Sequence, residues 1–417
     1  MMRRLALTTV LLTAAGCATQ QGAEQGKGST PAASKEERMR IGNQAPFDVA
    51  VCQSKPITLP QPPNQASLVG AILSLRPQVM ECLVDPKHRG SADSTRVTVK
   101  TSLTDKAATH TVSGDNLTPE GVACIQKVVD TQVPLSPLPA GAAALESSNE
   151  FVHEAANSPS VKFGLNPGSD YSGNVRLAQT GWCECYAGFA TKAPPIIKAN
   201  VDLKRKKEKK DKDSPETVTN TSDVTLDDVG TPEGNQLAAC LKGKMAAVPS
   251  SIPVDELKFP YRFVHFNSRA GEAPADMPPE LRFFQLELVR GQRSAETALA
   301  LGARTNAAEA YDAVVQKYQK TKDYGLVSDM KAKCATLGTA SQAIVDAVDG
   351  QLKADQSSKD LATELKAKDA AWADVETKLT EVVNGTQQDL DNAKKRLEND
   401  KAICPKESTA PAPKKGK

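Results

Sequence analysis

An ordered series of landmarks runs through this chain twice, and it limits the architecture more tightly than any other feature. In the first copy Glu81-Cys82 is followed by the strand-like run Arg96–Leu103, then Thr118-Pro119-Glu120-Gly121, Cys124, Pro134 and Phe151-Val152-His153. In the second copy Glu184-Cys185 is followed by Ile196–Leu203, then Thr231-Pro232-Glu233-Gly234, Cys240, Pro249 and Phe263-Val264-His265. A shared order at similar spacing marks a duplicated supersecondary unit. Whatever one copy builds, the other is expected to build as well.

Each copy has a physical reading. Arg96–Leu103 alternates apolar and polar residues as a half-buried strand does, and Ala108–Ser113 is its expected partner. Thr118 suits an N-cap, Pro119 the first helical position and Glu120 the positive end of the helix dipole. Val122, Ile125, Val129 and Val133 then recur at three- and four-residue steps, which predicts a buried helix face. Asn149–Glu154 and Lys258–Phe266 read as return strands. The expected fold class is α+β: two tandem small helix-strand-strand-helix-strand units, each an antiparallel sheet covered on one side by helices, followed by an α-helical hairpin or bundle.

A cysteine-bearing helix, a hairpin and a second cysteine-bearing helix ending near a proline resemble the C-terminal domain of the AgmX/PglI group, which is related in shape to the C-terminal domain of TonB. The resemblance covers about residues 66–155 and 175–290, and it rests on the two cysteines per copy and the strand pattern. The chain departs from that pattern at the hairpins. The expected glycines are missing, and the second copy carries the charged run Lys204-Arg205-Lys206-Lys207-Glu208-Lys209-Lys210-Asp211, read as a solvated hairpin tip. The resemblance implies protein partners, in motility or envelope transport.

From about Gly291 the composition changes. Proline disappears until Pro405, and Ala, Lys, Asp and Glu dominate. Leu361, Leu365, Lys368, Trp372, Val375, Leu379 and Val382 step by four and three, an apolar seam broken by one lysine. Leu301, Ala308, Tyr311, Val315 and Tyr318 form a second stripe, and Gly338, Gly350 and Asn384-Gly385 are the expected turns.

The chain holds nine cysteines. If equivalent repeat positions pair equivalently, Cys82 bonds Cys124 and Cys185 bonds Cys240, each tying two helices of its unit together. Cys334 and Cys404 stand alone in the helical part and close its hairpin. Cys52 and Cys183 remain to link the units, although Cys183 and Cys185 could exchange roles. The ninth, Cys17, has a different setting. Met1-Met2-Arg3-Arg4, the apolar run Leu5–Leu12 and Thr13-Ala14-Ala15-Gly16 are the parts of a secretory signal. The run is far below the roughly 20 residues a membrane span needs. Its end resembles the bacterial lipobox, with Ala14 where that family favours leucine, and the resemblance implies cleavage before Cys17 and acylation of its sulfur. Ala18 rather than an aspartate follows, which implies outer-membrane rather than inner-membrane residence. Eight remaining cysteines in an exported chain read as disulfides.

The expected organisation is therefore a signal peptide over 1–16, a lipidated cysteine and tether over 17–46, reaching roughly 30 Å, units over 47–170 and 171–290, a helical part over 291–404 and a tail over 405–417. Removing Arg3 and Arg4 with the signal leaves 50 basic residues against 50 acidic ones. That balance argues against nucleic acid as a partner. No catalytic group, metal site or cofactor is expected: there is no nucleophile elbow, phosphate-cradling glycine loop or HExxH. Cys183-Glu184-Cys185 lacks a third ligand, and His153 and His265, at matching repeat positions, read as strand residues. His88 and His110 read as surface residues. The expected role is a non-enzymatic adaptor, held in the membrane through the lipid on Cys17, with protein partners in the cell envelope. An enzyme acting on cell-wall or surface polysaccharide, or a spacer contacting peptidoglycan, are the alternatives.

Overall fold

The computed structural model describes residues 46–53, 55–91, 94–154, 171–208, 217–250, 252 and 254–405. The expected signal peptide, Cys17, the tether and the tail after Pro405 lie outside them. The short strand β1 (Phe47–Asp48) and a 3-10 turn (Val49–Gln53) come first. The first repeat unit follows as α1 (Gln65–Leu73), α2 (Arg76–Cys82), β2 (Ser94–Leu103), β3 (Ala108–Asp115), α3 (Pro119–Gln132) and β4 (Leu145–Glu154). The second is α4 (Tyr171–Ala178), a 3-10 segment (Gln179–Phe189), β5 (Ile197–Glu208), β6 (Thr217–Leu226), α5 (Pro232–Ala246) and β7 (Glu256–Phe263).

The two units share one topology. Each has a three-stranded antiparallel sheet with its first strand in the middle, in the order β3-β2-β4 and β6-β5-β7. The register repeats too: Phe151 lies opposite Val97, and Phe263 opposite Ile197. Along β2 the residues Val97, Val99, Thr101 and Leu103 turn inward, as the period of two requires. Ile125, Val129 and Val133 meet them from α3, while Val122 packs at the rim. The helix starts are copies of each other: Thr118 Oγ1 accepts from Gly121 N–H at 3.2 Å, and Thr231 Oγ1 accepts from Gly234 N–H at 3.2 Å. The threonine satisfies a donor that the first helical turn leaves open.

Three features depart from the sequence reading. The charged run from Lys204 to Glu208 is strand, paired with Thr217–Thr221, so β5 continues past the sheet core as a ribbon; the tip itself lies outside the described residues. The expected strand Lys258–Phe266 breaks after Phe263, because His265–Phe266 forms a separate strand, β8, parallel to β1. The cores also interlock. Phe47 and Val49 pack in the second unit, whereas Val264, Phe266, Met277, Leu281 and Leu288 pack in the first.

The helical part begins at Pro279, earlier than the change of composition suggests. It is α6 (Pro279–Thr321), α7 (Leu326–Lys368) and α8 (Ala373–Ala402). At 1.5 Å per residue, α6 and α7 are each about 64 Å long. Their turn places Lys322 in the left-handed region, φ 56°, and Asp323 Oδ1 accepts from Gly325 N–H at 2.8 Å. The seam from Leu361 to Val382 is not one helix. Asp369 ends α7, a 3-10 turn carries Trp372, and Val375 and Leu379 belong to α8, so the seam folds back on itself. Gly338, Gly350 and Gly385 sit inside helices rather than at turns. None of the described helices is long and apolar enough to cross a membrane.

Two buried polar layers fix the register of the three helices. In one, Arg290 Nε donates to Asp355 Oδ1 at 2.6 Å and Thr386 Oγ1 donates to Asp355 Oδ2 at 2.7 Å. In the other, Arg304 donates twice to Asp400, at 2.8 and 2.7 Å, and Ser341 Oγ donates to the same carboxylate at 2.5 Å. Each layer takes an arginine from α6, with a carboxylate and a hydroxyl divided between α7 and α8. On every helix the two members are two heptads apart, so a slip of one turn would separate both sets together.

A candidate docking platform

The described residues hold four disulfides. Cys82–Cys124 ties α2 to α3 with Cα atoms 6.0 Å apart, and Cys185–Cys240 ties the 3-10 segment to α5 at 5.6 Å. Cys334–Cys404 fastens the end of α8 to α7 at 5.6 Å. Cys52–Cys183 joins the turn after β1 to the second unit at 5.2 Å. Of the two pairings left open for Cys183 and Cys185, this is the one in which like repeat positions pair alike. With both thiols so bonded, Cys183-Glu184-Cys185 has no thiolate to offer a metal. Among the described residues no group of three or more His, Cys, Asp or Glu side chains converges to hold an ion.

The joint between the units is built from charges taken out of water. Arg176, on α4, is 1 % exposed. It grips Glu81 of α2 with both nitrogens, at 2.5 and 2.7 Å, and donates to the Pro46 carbonyl at 3.0 Å. Its guanidinium lies over the Phe47 ring, 5.3 Å from the centroid. A bidentate fork of this kind fixes orientation as well as distance. The matching glutamate of the second copy, Glu184, instead pairs with Lys244 at the surface. One landmark thus has two fates, and only the first copy's serves the joint.

Beside this pair, Gln179 Nε2 donates to Tyr186 Oη at 3.0 Å, and Tyr186 Oη lies 3.0 Å from His265 Nε2. His265 Nδ1 is 3.2 Å from the Pro195 carbonyl, which can only accept. The proton therefore sits on Nδ1, and Nε2 accepts from the tyrosine. Burial, with Arg176 nearby, holds His265 neutral down to about 3 despite the Pro195 bond. Asp48 Oδ1 accepts from Ala50 N–H at 3.0 Å and Ser268 N–H at 3.1 Å. Burial nonetheless pushes its carboxyl up to about 6.

The remaining histidines are also structural. Burial lowers His153, on β4 opposite Thr95, to about 4. His88 and His110 are not surface groups but half-buried clamps. His88 Nδ1 lies 2.6 Å from the Cys82 carbonyl, and His110 bridges Thr101 Oγ1 and the Val133 carbonyl, both at 2.9 Å. A groove of about 500 Å³ runs beside β6 and the end of α5, lined by Asn220, Thr221, Ser222 and residues 246–250. No side chain in its lining titrates, so it offers no acid, base or activated nucleophile.

The helical part is mounted rigidly on the first unit. A Cβ added at Gly70 of α1 would come within 2.7 Å of Leu299 N, and one at Gly302 of α6 within 2.8 Å of Ser67 N. Asn64 Nδ2 donates to the Gly302 carbonyl at 2.9 Å, and Asn306 Nδ2 donates to the Pro62 carbonyl at 3.0 Å. Arg176, Asp48 and Tyr186 were not singled out by the sequence, because a lone polar residue among apolar neighbours carries no pattern. No protein-family model, no curated protein and no solved structure matches the chain.

Proposed function

We propose that this chain is a non-enzymatic adaptor of the bacterial envelope, anchored in the outer membrane by acyl groups on Cys17. Two cross-linked units, duplicated and locked through a buried joint, would hold a long helical arm at a fixed angle for protein partners in a surface or periplasmic assembly. The observation that carries the reading is the cysteine economy. All eight cysteines after Cys17 are used in four disulfides, which persist in an oxidising compartment. The ninth follows a signal-like leader at a lipobox-like position. Multiple acylation would make that attachment effectively permanent. The AgmX/PglI-like pattern adds the suggestion of motility or envelope transport, by analogy of fold alone.

Two measurements test it. Metabolic labelling with an alkyne fatty acid is expected to mark the wild-type chain and to miss Cys17→Ser, which a high-salt wash should also release from the membrane fraction. Cross-linking in intact cells followed by purification is expected to return the same envelope proteins reproducibly. Equal labelling of both chains, or a Cys17→Ser that stays membrane-bound through a high-salt wash, would defeat the anchor; repeated isolation of the chain alone would defeat the adaptor.

A further inference from the structure

The two ends of the helical bundle are finished in opposite ways. At the end near the units, Trp372 is 3 % exposed and meets Phe283 edge-on, with centroids 4.8 Å apart. The lysines there are paired: Lys366 with Glu376 at 2.7 Å and Lys368 with Glu364 at 2.8 Å. At the far end Tyr324 is 78 % exposed, the most exposed large apolar side chain among the described residues, and its ring meets Tyr318 at 6.1 Å. From Lys317 to Lys333 five lysines face two aspartates. None of those lysines belongs to an ion pair among the described residues. One of the aspartates, Asp323, accepts from the Gly325 amide while staying exposed, so the segment keeps a net excess of three positive charges.

An exposed tyrosine backed by a half-buried one, on a turn rich in lysines outside any ion pair, is poorly matched to water and well matched to one kind of surface. Tyrosine has an apolar body and a polar tip suited to the headgroup layer, and lysines beside it are attracted to anionic lipid. The mounting suits the task. Cys404 meets α7 at Cys334, so the last turns of the α6–α7 hairpin stand about 12 Å beyond the third helix. The disulfide stiffens the hairpin where it becomes two-stranded.

We propose that the hairpin tip, Tyr318 and Tyr324 with Lys317, Lys320, Lys322 and Lys331, is a docking site for an anionic lipid surface. Beside the proposed anchor on Cys17, it gives the protein a second, reversible membrane contact. The proposal stands apart from acylation of Cys17, because it is tested on a chain without lipid.

Residues 18–417, oxidised and unacylated, are mixed with vesicles of phosphatidylcholine alone or with added phosphatidylglycerol. This chain keeps every described residue, the first of which is Pro46. Binding is expected to the anionic vesicles only and to weaken as salt rises. Changing the four named lysines to glutamine should lower it on the order of several hundredfold, at about fivefold per lysine. Tyr318→Ser with Tyr324→Ser should lower it roughly tenfold, a loss that persists at high salt. Both native tryptophans, Trp182 and Trp372, are buried. An indole introduced by Tyr324→Trp is therefore the exposed one, and its emission should shift to the blue on binding. An unshifted indole, equal binding to neutral vesicles, or binding lost only when residues 406–417 are removed would overturn the proposal. So would lysine-dependent sedimentation with acidic wall polymer and none with vesicles.

Discussion

Arg176 and Glu81 show how much a single buried contact can decide. Each charge is sheltered from water only because the other is present, so removing one leaves its partner stranded. Arg176→Met is expected to destabilise the fold by about 3–5 kcal/mol, and Arg176→Met with Glu81→Leu by much less, as read from urea denaturation of the oxidised chain. The neighbouring titratable groups set a pH dependence whose sign can be worked out. His265, near 3, and His153, near 4, resist protonation in the fold, whereas unfolded imidazoles protonate near 6.5. Their contribution is complete above 6.5 and is lost as pH falls toward 4. Asp48, near 6, acts oppositely, since its folded carboxyl keeps a proton that the unfolded one releases. Its contribution is present below about 4 and is lost as pH rises through 6. Two histidines outweigh one aspartate, so stability should fall between pH 6.5 and 4, at about 1.4 kcal/mol per pH unit for each uncompensated group. In Asp48→Asn the same melting series should fall more steeply, and a flatter curve would contradict the assignment. Arg176 and Asp48 carried no signal beforehand, whereas the repeat had marked Glu81 and placed His153 and His265 on strands. Arg176 is buried by a residue 95 positions away, and no local pattern encodes that distance.

Secondary elements were more legible, for reasons visible in particular residues. Thr118 and Thr231 cap their helices as read, because the cap is settled within four residues. The alternation of β2 survives because one face is buried along its length. The seam at Leu361–Val382 misled because Trp372 keeps the spacing across a turn, packing back on Phe283 from the following 3-10 segment. The signal present was Asp369, whose Oδ1 accepts from Ala371 N–H at 2.9 Å as a cap does. Glycines misled in the same region, since a glycine inside a long helix costs only about 1 kcal/mol and is readily carried. The structure separates two kinds. Gly70→Ala should destabilise by about 1–3 kcal/mol, because its Cβ would meet the backbone of α6. Gly338→Ala, with nothing within 4 Å, should stabilise by about 0.5–1 kcal/mol. Thermal unfolding of the two variants checks both signs. In the bundle, Asp400→Leu is expected to cost about 3–5 kcal/mol, and most of it should return when Arg304→Met and Ser341→Ala complete an apolar layer. Chemical denaturation of the single and triple variants measures the recovery.

At the scale of the whole molecule the repeat predicted two like units, and the shared strand order β3-β2-β4 and β6-β5-β7 is what it produced. The interlocking was not legible. Phe47 and Val49 cross to the second unit, and Val264, Phe266, Met277, Leu281 and Leu288 return to the first, because each completes a core that its own unit leaves open. Reciprocal exchange, the Cys52–Cys183 bond and the Arg176–Glu81 pair leave the units little freedom to move apart, and α6 carries that rigidity outward to the hairpin tip. In the loop-closure account each disulfide restrains the unfolded chain by about 4–5 kcal/mol, so oxidation of the eight thiols is part of the fold's stability. We propose that this chain is exported, oxidised and acylated. Mass spectrometry of the native protein from membranes, run intact and as a non-reduced peptide map, tests it directly. The account predicts a chain starting at an acylated Cys17, with Cys52–Cys183, Cys82–Cys124, Cys185–Cys240 and Cys334–Cys404 bonded. An unmodified chain starting at Met1 with free thiols would contradict it.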